Sequence, residues 1–104
     1  MSDAANSQRG EASLIIGGRP YVLRPSFTAL VAAEEELGPL FALVERAGAG
    51  QLRVTEIAAL FWHCLQDRGE LSREEVGEAI MQQGLAASAA PLKIVLRQIL
   101  QGQV

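Results

Sequence analysis

The hydrophobic pattern of this chain changes period once. Between Glu11 and Arg24 apolar positions alternate, with Leu14 and Ile16 on one face of a first run and Tyr21 and Leu23 on the matching face of a second. Alternation of this kind reads as strand. Gly17-Gly18, set between the two runs, suits the positive φ angles of a tight hairpin turn. Pro20 has no amide proton, so the second strand is expected to keep a free edge.

From Pro25 onward the spacing is helical and predicts four or five short helices. The first covers about residues 27–37, opened by the Ser26 hydroxyl and stopped by Gly38, with Phe27, Leu30, Val31 and Leu37 as its core stripe. Pro39 opens the second, about 39–47, built on Leu40, Phe41, Leu43 and Val44 and closed by Gly48-Ala49-Gly50. The third, about 54–67, sets Val54, Ile57, Ala58, Phe61, Cys64 and Leu65 opposite Thr55, Glu56, His63, Gln66 and Asp67. Ser72 and Glu75 form a capping box for the fourth, about 73–83, which ends at Gly84. The last begins near Ser88 or Ala89, covers about 89–101, and turns Leu92, Val95, Leu96 and Ile99 inward. A hairpin over 11–24 followed by this bundle is an α+β fold. A single domain is expected over 11–102, behind a disordered polar tail at 1–10.

Composition narrows the function classes. With 104 residues, 49% of them hydrophobic, the chain has the means to bury one core. A net charge of −3, with nine Lys+Arg, gives no general attraction to nucleic acid or to anionic lipid. No apolar run approaches the ~18 residues that suggest a membrane span, and no secretory signal is expected. The lone Cys64 lies in an apolar stretch where a buried free thiol is expected, which suits a bacterial cytoplasmic setting.

Reactive constellations do not assemble from these residues. His63 and Cys64 are the sole histidine and cysteine, and neighbours on a helix diverge by ~100°, so neither a metal site nor a Cys-His pair is expected. His63 and Asp67, one turn apart, are expected to pair on the surface. The loop beginning at Asp67 superficially matches a calcium loop, but its first, third, fifth and twelfth positions are Asp67, Gly69, Leu71 and Glu78. Gly17-Gly18 leads into no phosphate-binding motif. No enzyme activity and no cofactor are expected.

Four residues stand out instead as candidates for contact with another protein. Glu34 falls inside the expected stripe of the first helix, where its carboxylate either meets an arginine such as Arg24 or Arg46 or is recognised by a partner. Leu60 and Trp62 sit on the shoulders of the third helix, and Ile94 lies roughly opposite the core stripe of the last. These three are either buried within the fold or covered by another protein.

The order of motifs resembles a known family. The segment Gly17-Gly18-Arg19-Pro20-Tyr21-Val22-Leu23-Arg24, then Phe27-Thr28-Ala29-Leu30 running through Glu34 to Leu37-Gly38, resembles the small tail assembly chaperones of gene transfer agents and tailed phages. Leu52-Arg53-Val54-Thr55-Glu56-Ile57 and Leu71-Ser72-Arg73-Glu74-Glu75-Val76 extend the resemblance over about residues 10–100, while the bulky Phe61-Trp62-His63-Cys64 run departs from it. The resemblance implies a non-enzymatic role in building a phage-type tail of a prophage or gene transfer agent. Its implied partners are the tape-measure protein and the major tail protein, with a homo-oligomer compatible. The family is also described as a tail-tube component, which implies persistence in the particle; apart from the resemblance, the residues alone leave an unrelated small protein-binding module as a further alternative.

Overall fold

A computed structural model describes residues 11–102; the tail expected at 1–10 lies outside the described residues. Strands β1 (Ala12–Ile16) and β2 (Arg19–Leu23) pair antiparallel, with Ala12 opposite Leu23, Leu14 opposite Tyr21 and Ile16 opposite Arg19. Gly17 and Gly18 join them at φ 59° and 80°, conformations that side-chain-bearing residues rarely adopt. Ala12, Leu14 and Ile16 are buried while Ser13 and Ile15 face outward, the period of two that the sequence carries.

In a two-residue hairpin the residues flanking the turn form a hydrogen-bonded pair, so Pro20 and Val22 turn their backbone groups away from β1. Pro20 therefore costs the hairpin no ladder bond. The edge is not free along its length, however. The Arg24 amide donates to the Cys64 carbonyl at 2.7 Å, the Gln66 amide donates to the Val22 carbonyl at 2.9 Å, and Leu23 bridges Leu65. A short piece of chain thus lies along β2 beyond the proline.

Five helices follow: α1 (Phe27–Leu37), α2 (Leu40–Gly48), α3 (Val54–Cys64), α4 (Arg73–Gln83) and α5 (Leu85–Gln101). Together with the hairpin they make the α+β fold expected, within 32 × 29 × 24 Å. Ser26 caps α1 by accepting the Ala29 amide at 3.2 Å. Ser72 and Glu75 complete their capping box, the hydroxyl accepting the Glu75 amide at 3.1 Å and the carboxylate accepting the Ser72 amide at 2.8 Å.

α3 is the centre of the fold. It packs against α1 and α4, and Ile57, Ala58, Ala59, Leu60, Phe61 and Cys64 are all buried. Each large side chain taken out of water here contributes roughly 1.5–3 kcal/mol. The helix stops at Cys64 instead of continuing to 67. Leu65 turns to an extended conformation (φ −61°, ψ 125°) because its neighbours are recruited by the edge of β2.

Two other expectations change. α1 does not bury Phe27 and Val31, which face out; it buries Ala29 and Ala33 and half-buries Leu30 and Leu37. Small side chains let α1 approach α3 closely, and the bulky residues are left on the opposite arc. α5 begins at Leu85, because Ala86, Ala87, Ala89 and Ala90 are strong helix formers that carry it back to Gly84 (φ 85°). Ser88 is consequently a buried residue inside the helix and not its cap. No single described helix is long and apolar enough to cross a bilayer.

Candidate functional site

The four singled-out residues do not form one site. Leu60 is 0% exposed and lies wholly within the core. Ile94 and Trp62 are half-buried and pack against the same core. The Trp62 ring is covered further by two guanidinium groups, Arg68 at 4.5 Å and Arg73 at 5.9 Å from its centroid. α3 is therefore apolar on nearly every side because it is surrounded by its own chain.

Glu34 is exposed and meets neither arginine. Its carboxylate accepts the Leu40 amide at 3.1 Å, serving as the cap that Pro39 cannot provide at the start of α2. Arg24 instead pairs across the hairpin with Glu11, a buried carboxylate placed opposite it by the strand register. Arg46 pairs with Glu56 at 2.7 Å, joining α2 to the start of α3. Glu56 also accepts the Arg53 amide at 2.9 Å, and these two partners hold its carboxyl down to about 2.

Glu36, not Glu34, is the acidic residue that turns toward the body. It accepts two bonds from Arg73, at 2.6 and 2.9 Å, and a contact from His63 at 2.8 Å. Arg73 above all, with His63, lowers its carboxyl to about 2 despite some desolvation. His63 thus pairs with α1 and not with Asp67, since α3 ends before Asp67 can occupy the next turn. The cluster fastens α1, α3 and α4 at one end of the bundle.

A groove of about 800 Å³ starts at that clamp, with Glu36 and Arg73 in its lining, and runs between α3 and α4. Val54, Ala58, Gly77 and Met81 form its apolar floor, with Met81 58% exposed. Glu74 and Glu78 stand on its border, one turn apart on α4. Unlike Glu36 and Glu56, neither has a cationic partner among the described residues. Gly77 lies within α4 at ordinary helical φ, and a methyl group there would reach no atom nearer than the Ala58 Cβ at 4.0 Å.

The residues missed by sequence reasoning are Phe27, Phe41 and Met81. Phe27 is 85% and Phe41 67% exposed, each near the start of its helix. For Phe27 the signal lay in the alanines: Ala29 and Ala33 mark a face on which one helix can approach another closely.

No group of three or more His, Cys, Asp or Glu among the described residues could hold a metal ion. Burial pushes the Cys64 thiol up to about 12, only slightly offset by Arg68, which keeps it protonated and unreactive. The described residues thus form a small α+β domain with an acidic-bordered apolar groove between α3 and α4. Comparison with known families assigns it more closely. A model of the family described as phage tail tube protein, GTA-gp10, matches residues 9–102, and the chain belongs to that family of gene transfer agent and phage tail proteins. No curated protein and no solved structure matches the chain.

Proposed function

We propose that this chain is a non-enzymatic tail assembly chaperone, which binds the tape-measure protein in the bacterial cytoplasm and aids the addition of tail-tube subunits. Membership of a phage tail family supplies the setting. The observation that carries the chaperone reading is the α3–α4 groove, an apolar floor between two helices of 11 residues each. At 1.5 Å per residue such helices are ~16 Å long, enough to cover about three turns of another helix. A tape-measure protein offers amphipathic helix of this kind before the tube closes around it. The net charge of −3 opposes self-association while the groove is empty.

Co-expression with the tape-measure protein encoded nearby is the test. A soluble complex that survives size-exclusion chromatography at moderate salt is expected, and two separate elution peaks would refute the proposal. A second reading is favoured by the family's description as a tail tube protein: the chain is a structural component retained in the finished particle.

A further inference from the structure

We propose that the α3–α4 groove receives a helix whose apolar face is flanked by Lys or Arg, and that Gly77 is the point at which the two helices come closest. The inference rests on the chaperone reading for its partner and adds the chemistry by which that partner is recognised. Charge is the first argument. Glu74 and Glu78 are like charges one helical turn apart, an arrangement that mildly destabilises an isolated helix. Arg73, the nearest cation on the border, is already engaged by Glu36. A cationic side chain from outside would relieve the repulsion, whereas an acidic or phosphate-bearing surface would add to it.

Glycine is the second argument. In a helix interior glycine is less favourable than alanine by ~1 kcal/mol. At Gly77 the fold gains nothing from it, since an added Cβ would make only ordinary contact with Ala58 at 4.0 Å. The missing side chain leaves the middle of the groove floor open beside Ala58. Small residues at that position allow an incoming backbone to approach closely, with Met81 adapting its flexible thioether to the occupant's apolar face.

The test uses the full chain and two fluorescein-labelled peptides of about 18 residues, with leucines at helical spacing and flanks of either lysine or glutamate. The lysine peptide is expected to bind at least roughly tenfold more tightly than its glutamate twin, and to weaken as salt rises. Met81→Asp and Gly77→Leu should each weaken it by at least roughly tenfold, while a Glu74→Lys/Glu78→Lys variant should reverse the preference between the peptides. Thermal unfolding of every variant accompanies the titration, and Met81→Asp, altering an exposed residue, should unfold near the wild-type midpoint. Equal binding of the two peptides, no binding of either, or an unchanged affinity in a folded Met81→Asp chain would overturn the proposal. So would self-association of the free chain that Met81→Asp abolishes, because the occupant would then be a second copy.

Co-purification with the tape-measure protein separates the two levels of inference. A complex lost on Met81→Asp supports the groove. One formed equally by wild type and variant overturns the groove and leaves the chaperone reading standing. Peptide binding as expected without any tape-measure complex refutes the chaperone reading and keeps the groove.

Discussion

α3 and α1 distribute their large side chains in opposite ways. α3 carries apolar residues nearly all round and buries them nearly all round, with Leu60 and Phe61 fully enclosed. α1 carries apolar residues and three consecutive glutamates, yet it buries Ala29 and Ala33 and leaves Phe27 in water. The difference shows that size alone does not select the buried face. Where two helices cross closely, small residues belong in the contact, and a phenylalanine at the helix start is placed by geometry and not by its hydrophobicity.

The largest expected contrast follows directly. Leu60→Ala should cost about 3–5 kcal/mol in urea unfolding, the usual result of opening a cavity in a packed core. Phe27→Ser should change stability by less than about 0.5 kcal/mol. Comparable losses at the two positions would mean that α1 docks through its outer arc. Arg24→Ala ranks next, with an expected loss of about 1.5–3 kcal/mol, because it removes a charge-assisted hydrogen bond to the buried Glu11.

Gly77→Ala should act in the opposite direction, raising stability by about 0.5–1 kcal/mol, since the new methyl group fits beside Ala58. A destabilised variant would show that α4 needs the glycine for its own packing.

The ion pairs predict a smaller effect that depends on pH. Glu36 and Glu56 have folded pKa values of about 2, below the ordinary 4.5, so their contribution is complete above 4.5 and is lost as pH falls through about 2. Stability should decline across that window, and Glu36→Gln should make the decline shallower when denaturant midpoints are compared from pH 6 to 2. An unchanged slope would show that the Glu36 clamp joining α1, α3 and α4 contributes nothing in solution.

The elements were legible in the sequence because their signals are local. Gly17-Gly18 fixes a turn, Ser26 and Ser72 start helices, and Gly38 and Gly84 stop them. What was not legible depends on contacts between distant segments. α3 ends early because residues 64–66 bond to β2, an interaction some 40 positions away that no local propensity encodes. The Glu11–Arg24 pair could have been read from the hairpin register, since these residues lie one step beyond Ala12 and Leu23. Leu60, Trp62 and Ile94 could be read either as core or as a surface covered by a partner, because helical projection shows how much of a helix is apolar but not how much of its circumference neighbouring elements cover. The groove was harder still to foresee, being made of a glycine, an alanine and a methionine on two helices.

A chaperone of the kind proposed above acts during assembly and does not remain as tube wall. Quantitative mass spectrometry of purified particles and of cytoplasmic tape-measure complexes tests it most directly. The chain is expected in stoichiometric amounts in the cytoplasmic complexes and only in traces in the particles; its recovery from particles in multiple copies per tape-measure chain would refute the chaperone role.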